Sequence, residues 1–319
     1  MPAKIWIGVD IGGTKTAIVV SQRPPDISER HQFATLPSKG PHRALDLIGK
    51  GIGAILKRRG LPISAIRGMG ISCGGPLDRL RGIIHSPPNL ATWVDVPIKG
   101  ILERQFGARC NVENDANAGA VAEHRYGAGH GFDNMVFLTM GTGLGAGIIV
   151  DGRLYHGTDD LAGEIGHVRL TRGGPVGHNK RGSAEGWASG GGMEQVAMRA
   201  VGDARKRGCS TILTAHRRTL TARDVCAAAK RGDAVAMRIV RSTGERLGQV
   251  LAIVVDILNP ERIVIGGLAM RTGEMILGPA REVMAREALP AAAGSCQVAP
   301  AALGERIGDV AALCVAMGL

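Results

Sequence analysis

Apolar and polar positions along this chain alternate in short blocks, and the period of each block predicts its element. Residues 5–9 (Ile-Trp-Ile-Gly-Val) and 16–20 are apolar runs on either side of the polar, glycine-bearing segment 10–15, which predicts two strands joined by a tight turn. Residues 30–36 could add a third strand. Leu45, Ile48, Ile52, Ile55 and Leu56 recur at helical spacing and predict a helix over 44–57. A short buried strand is expected at 69–72, a helix at 96–106, a strand at 111–113 and a helix at 116–125. The pattern then restarts. Residues 135–140 read as a strand, 141–145 as a second glycine-rich turn, 146–150 as its return strand, and Asp151-Gly152 as the next hairpin turn. A long helical stretch over 234–258, a strand at 263–265, a helix at 274–288 and a last helix at 309–317 complete the reading.

Strand, glycine turn and return strand thus open an α/β segment twice. This predicts two similarly built α/β lobes, an N-terminal one over residues 1–120 completed by the C-terminal helix at 305–319, and a C-terminal one over 121–304. The hinge is expected near 115–135, and no low-complexity linker separates the two.

Composition narrows the partners. The chain has 319 residues, with 45% hydrophobic and 21% charged, a globular balance. Aromatic residues are only 3%, so the core must be aliphatic and a base-stacking platform for single strands is not expected. The net charge of +11 comes from basic residues scattered along the chain, which reads as a solvated surface, not a nucleic-acid or membrane face. The six cysteines form no C-x-x-C pair and are expected as free thiols of a cytoplasmic protein. The N-terminal segment shows no signal-peptide pattern, and the apolar run 250–258 is too short to span a bilayer.

The two glycine turns carry the first candidate chemistry. A tight turn with little Cβ bulk can aim several backbone N–H groups at phosphate oxygens. Gly12, Gly13 and Thr14, followed by Lys15, have that form, and so do Gly141, Thr142 and Gly143. Asp10, at the end of the first strand, could hold Mg²⁺ through water. One such turn alone could equally be an ordinary hairpin or a phosphate loop; two together point to ATP. Neither is a P-loop, and neither fits the Rossmann fingerprint well. Asp115, between a strand and a helix, reads by position alone as an N-cap.

Four motifs make the pattern specific: Asp10-Ile-Gly-Gly-Thr-Lys-Thr, Glu113-Asn114-Asp115-Ala-Asn-Ala, Gly141-Thr-Gly-Leu-Gly-Ala-Gly and Ala162-Gly163-Glu164-Ile165-Gly166-His167. In this order and spacing they resemble the ROK family (repressors, open reading frames and kinases) of the actin-like ATPase superfamily, over essentially the whole chain. The resemblance implies an α/β, two-lobed ribonuclease-H-like fold with an interlobe cleft for ATP and sugar. It implies an ATP-dependent kinase for a hexose hydroxyl, glucose first, with N-acetylmannosamine, N-acetylglucosamine and fructose open. Asp115 matches the catalytic base, and Gly266 and Gly267 are expected against the adenosine. Asn114, Asp115, Glu164, His167 and Glu185 match sugar-contacting positions, and Gly75 is expected to bring backbone close to the sugar. Lobe closure on the sugar is expected to exclude water from the transfer.

The chain departs from that family at one place. Many members carry a zinc motif, C-x-C-G-x-x-G-C-x-E, at the position of residues 176–185. Here Val176, His178 and Ser183 stand at its three cysteine positions, while Glu185 is kept. Structural zinc wants four N or S ligands, and His167 with His178 supply at most two. No zinc is expected, and packing or hydrogen bonds must replace the metal staple. A repressor of this family would need an N-terminal helix-turn-helix; the first strand begins at Ile5, so DNA binding is not expected. Nucleic acid and membrane are therefore not expected as partners, and a homo-oligomer is left open.

Overall fold

The computed structural model describes residues 3–215 and 220–319; the first two residues of the N-terminal segment lie outside the described residues. The chain divides into two compact units. Unit 1 comprises residues 1–130, 157–160 and 303–319, and unit 2 comprises 131–156 and 161–302.

Unit 1 is built on a five-stranded sheet. Its strands are β1 (Ile5–Ile11), β2 (Lys15–Ser21), β3 (Glu29–Ala34), β4 (Ile66–Cys73) and, after the short pair β5 (Leu77–Asp78) and β6 (Ile83–Ile84), β7 (Cys110–Asn114). The order is β3-β2-β1-β4-β7. β1, β2 and β3 form an antiparallel meander, while β4 pairs parallel with β1 and with β7. The helices are α1 (Pro41–Arg58), α2 (Ile98–Phe106) and α3 (Asp115–Tyr126), with the C-terminal helix Ile307–Met317. The predicted elements are present, with ends shifted by one to three residues. The helix predicted from residue 96 starts at Ile98, because Val96 still bridges Ile84 and Pro97 is the N-cap.

The C-terminal helix packs closely on the sheet because the sheet has no side chains under it. Gly8 and Gly70 face each other in register on β1 and β4, and Gly68 lies opposite Trp6. A Cβ on Gly70 would lie 2.1 Å from Ala316 N, and one on Gly8 would lie 2.9 Å from Ala312. The helix answers with alanines, so its backbone rests almost on the strands. One α1 face, with Ile48, Ile52 and Ile55 fully buried, lies in the aliphatic core of this unit.

Unit 2 repeats the plan. Its strands are β8 (Met135–Met140), β9 (Leu144–Val150), β10 (Arg153–Tyr155), β13 (Arg262–Gly267) and β14 (Gln297–Pro300), ordered β10-β9-β8-β13-β14. Again three antiparallel strands are followed by two parallel ones. A separate hairpin joins β11 (Val176–Gly177) to β12 (Lys180–Arg181). The helices are α4 (Ala184–Trp187), α5 (Gly190–Lys206), α6 (Ala222–Lys230), α7 (Ala234–Leu258), α8 (Leu268–Thr272), α9 (Glu274–Glu287) and α10 (Pro290–Ser295). Gly244 and Gly248, one turn apart on α7, let α9 approach: a Cβ there would lie 2.6 and 2.5 Å from the carbonyls of Ile276 and Ala280. The buried core of this unit is aliphatic, with Met and Cys as gap fillers. Among the described residues no helix is long and apolar enough to cross a membrane.

Candidate functional site

In unit 1 the first glycine turn links β1 to β2. Gly12 N–H donates to the Lys15 carbonyl (3.0 Å), and Thr35 Oγ1 donates to the Gly12 carbonyl (2.7 Å). Gly13 is required by proximity, since a Cβ there would lie 2.8 Å from Asn89. Thr14 and Lys15 are exposed. Asp10, the last residue but one of β1, lies against the first turn of the C-terminal helix, so close that a Cβ on Gly308 would lie 2.5 Å from its Oδ2. Burial, then the charges of Asp115 and Asp309, push the Asp10 carboxyl up to about 7, against the pull of Lys15 and Arg30. Arg30 Nε donates to Asp309 Oδ2 at 2.7 Å, which engages that guanidinium with Asp309. Ser72, the register partner of Asp10 on β4, has a buried hydroxyl with no partner among the described residues. Asp10 and the Ser72 hydroxyl offer hydrogen-bonding groups to the water shell of a hydrated cation, not a cluster of three direct ligands.

The strand β7 runs into α3 at Asn114 and Asp115. The cap is Asn114, not Asp115: its backbone is extended, and its Oδ1 accepts from Ala116 N–H at 2.9 Å and Asn117 N–H at 3.5 Å. Asp115 is already the first helical residue, exposed and in the first turn, where the helix dipole favours its charge. The positional expectation of a cap was therefore one residue late. Glu113 is buried and locks the junction, its Oε1 accepting from Asn114 N–H (2.9 Å) and Asn117 Nδ2 (3.0 Å). Gly75 sits beside this junction, where a Cβ would lie 3.0 Å from Asn114 Nδ2. The structure thus brings Asp10, Asn114, Asp115 and Gly75 to the C-terminal ends of β1, β4 and β7, which lie side by side in one sheet.

In unit 2 the second glycine turn joins β8 to β9 and is held from behind by α5. Gly190 and Gly191 N–H donate to the carbonyls of Gly141 (2.8 Å) and Thr142 (3.0 Å). In a trans peptide the N–H points opposite to the C=O, so the N–H groups of Thr142 and Gly143 are turned away from α5. That leaves two N–H donors on the side away from α5, a pair suited to an anion. The triple glycine that begins α5 was not read as helical, since glycine is a poor helix former. Its reason is contact: Cβ atoms at Gly190 and Gly192 would lie 2.8 Å from the Gly141 carbonyl and 1.9 Å from the Gly186 carbonyl. Gly266 and Gly267 end β13 beside this turn, and Gly267, at φ +72°, has no room for a Cβ against Met140.

The remaining predicted residues gather on the other side of β9. Glu164 precedes a short 3₁₀ turn, Ile165–His167, and its Oε2 lies 3.7 Å from His167 Nε2. Glu185 lies in α4, and its Oε2 accepts from Leu144 N–H at 3.1 Å. His178, at the tip of the β11–β12 hairpin, places Nε2 2.8 Å from the same Oε2 and stacks on His167 with ring centroids 4.0 Å apart. The positions of the zinc motif do not fit a zinc ion. Val176 offers no side-chain donor, and Ser183 Oγ caps α4 at Gly186 N–H and donates to the Gly177 carbonyl. Among the described residues no cluster of three His, Cys, Asp or Glu could hold a metal. The segment is stitched instead by Gln195 on both backbone groups of Val176, by Lys180 Nζ on the His167 carbonyl (2.7 Å), and by Trp187 Nε1 on Thr171 Oγ1 (2.7 Å).

The sequence profile of the ROK family matches residues 6–317. The chain belongs to the ROK family. It is 32% identical to a glucokinase of Halalkalibacterium halodurans over 97% of this chain and 94% of that one. It resembles the crystal structure of a ROK family glucokinase from Streptomyces griseus in complex with glucose and AMPPNP, with a TM-score of 0.82 and 31% identity, covering 99% of this chain and 100% of the other. A xylose repressor of Caldicellulosiruptor bescii is 28% identical over 87% of this chain and 69% of its own length. This ROK chain has the α/β architecture of the actin-like ATPases, each unit built on the same five-strand plan.

Proposed function

We propose that this protein is an ATP-dependent sugar kinase whose acceptor is the primary hydroxyl of glucose. The observation that carries it is the junction of β7 and α3, where Asn114 is the cap and the exposed Asp115 carboxylate stands in the first turn of the helix beside Asp10. Two relatives of this chain carry the name glucokinase, which supports glucose as the acceptor.

The geometry divides the task. In unit 1, Asp115 accepts the proton of the acceptor hydroxyl as its oxygen attacks the γ-phosphorus. The new O–P bond forms as the bond to the β-phosphate oxygen breaks, and ADP leaves with that electron pair. Asn114 retains its amide N–H₂ to orient a sugar hydroxyl after its Oδ1 is used as the cap. Gly13, Thr14 and Lys15 donate to phosphate oxygens, Gly12 N–H staying with the Lys15 carbonyl inside the turn, and Asp10 would hold the Mg²⁺ of MgATP through water. When bound, that ion neutralises charge on the phosphates and supplies the positive field that the Asp10, Asp115 and Asp309 carboxylates lack. In unit 2, Thr142 and Gly143 offer N–H donors to phosphate, Gly141 N–H being held by the Gly143 carbonyl, and Gly266 and Gly267 present bare backbone to the nucleoside. Glu164, His167 and Glu185 bind sugar hydroxyls.

The test is ADP release, followed by a coupled assay, from MgATP with glucose, mannose, fructose, N-acetylglucosamine and N-acetylmannosamine. Glucose should give the highest kcat/KM. Sugar-independent ADP release, or none with a folded protein that binds ATP, would overturn the reading in favour of a sugar-sensing role like that of the repressor relatives.

A further inference from the structure

We infer that His178 is a positioning residue for sugar binding, which holds Glu185 and His167 as one unit in place of a metal staple. This rests on the sugar-kinase reading above and adds to it a residue that stands at a cysteine position of the zinc motif.

The hairpin that carries His178 is built to aim it. Gly177 pairs with Lys180 across β11 and β12, and the two residues between them, His178 and Asn179, both have positive φ, at +47° and +58°. That is the backbone of a two-residue type I′ turn, a conformation that Asn and His tolerate better than bulkier residues. The chain accepts a left-handed histidine here, and the result is a ring with two contacts in different directions. Its edge meets Glu185, with Nε2 2.8 Å from Oε2, the distance of an N–H donating to a carboxylate. Its face covers His167, tilted by 28°.

Glu185 has little freedom besides. Cβ atoms added at Gly143, Gly166 and Gly177 would each run into its side chain, at 2.5, 3.3 and 2.9 Å. Both recorded contacts of its carboxylate, from His178 and from Leu144 N–H, fall on Oε2. That geometry directs Oε1 to an acceptor role toward a hydroxyl. His167, less buried than His178, keeps its Nε2 edge on the side of Glu164. One histidine therefore orients a carboxylate through its edge and an imidazole through its face, and both of these groups are assigned to the sugar. A zinc ion would fix the backbone of this loop; His178 fixes the side chains.

The experiment compares wild type with His178→Asn and His178→Gln in the coupled assay. Asn suits the left-handed backbone but is too short to reach Glu185, while Gln restores an N–H donor near the place of Nε2. His178→Asn should raise KM for the sugar about tenfold or more, with a smaller change in kcat and an unchanged KM for ATP. His178→Gln should recover part of that loss. Circular dichroism and thermal melting of both variants check the fold. An unchanged sugar KM in His178→Asn, or equal losses in the two variants, would overturn the assignment to His178 while leaving the kinase reading intact. Absence of sugar phosphorylation by the wild-type protein would instead remove the kinase reading, and the role of His178 with it.

Discussion

The two glycine turns of this molecule occupy the same place in the same five-strand plan, yet their surroundings differ. The turn at Gly12–Gly13 stands among carboxyls, where burial and then the charges of Asp115 and Asp309 raise the proton affinity of Asp10. The turn at Gly141–Gly143 stands among backbone donors, held by the N-terminus of α5 and by a carboxylate already paired with an imidazole. On the proposed reading the first environment takes a cation and a base, and the second offers fixed hydrogen-bonding groups to the sugar. A duplicated backbone has thus been given two chemistries by a few side chains at the strand ends. Fold alone would not have distinguished them.

The sharpest way to break this comparison is to remove the base from the first environment. Asp115→Ala should lower kcat by about 10³-fold or more, the upper range of general-base effects, with little change in melting temperature, because Asn114 and not Asp115 caps the helix. Near-wild-type turnover in a steady-state assay would place the base elsewhere.

A second effect follows from charge. The folded protein holds the Asp10 proton up to about pH 7, whereas an ordinary carboxyl loses it near 3.8. A raised acid favours the folded state below pH 4 and loses that advantage as pH rises through 7. Asp10→Asn, which cannot ionise, should therefore be more stable than wild type at pH 8, and the gap should close toward pH 4. The full displacement corresponds to about 4 kcal/mol, and the solvent that still reaches the side chain reduces this to roughly 2 kcal/mol. Urea unfolding at the two pH values measures it; a pH-independent difference would contradict the acidic character given to this turn.

The second turn can be tested by bulk. A methyl on Gly143 would press on Glu185 Oε2, whereas one on Gly12 would meet only the Lys15 carbonyl at 3.2 Å. Gly143→Ala should raise KM for the sugar about tenfold, equivalent to about 1.4 kcal/mol, and Gly12→Ala should leave the sugar KM within about twofold. Equal effects would deny that Glu185 serves the sugar.

The smallest effects concern the loop that stands in for a metal site. Ser183→Ala removes the cap of α4 and should cost about 1 kcal/mol in thermal unfolding. Metal analysis of the purified protein should find no stoichiometric zinc, and EDTA should leave the melting temperature unchanged; one tightly bound equivalent would overturn the account of this loop.

Much of this architecture was readable from period alone. β8 was legible to the residue, because Met135–Met140 is apolar but for Thr139 and lies between Asn134 and the glycine turn. α7 was equally plain, since 25 residues carry a helical apolar stripe without a proline. α5 was missed because its first turn is Gly190-Gly191-Gly192, and those glycines answer a neighbour that sequence does not display. β14 was missed for a related reason: it is an edge strand of four residues ending in proline, short and only partly buried. At the site, the residue types and their order were legible, but their division of labour was not. Choosing Asn114 over Asp115 as the cap depends on one backbone angle, and the contact of His178 with Glu185 depends on a left-handed turn.

The central claim, that phosphoryl transfer ends on a sugar hydroxyl, is tested most directly by ³¹P NMR of the protein with MgATP and glucose. The account predicts that the γ-phosphate resonance is replaced by that of a sugar phosphate monoester, and that Asp115→Ala shows no such conversion. Release of inorganic phosphate alone, or the same conversion in the variant, would contradict it.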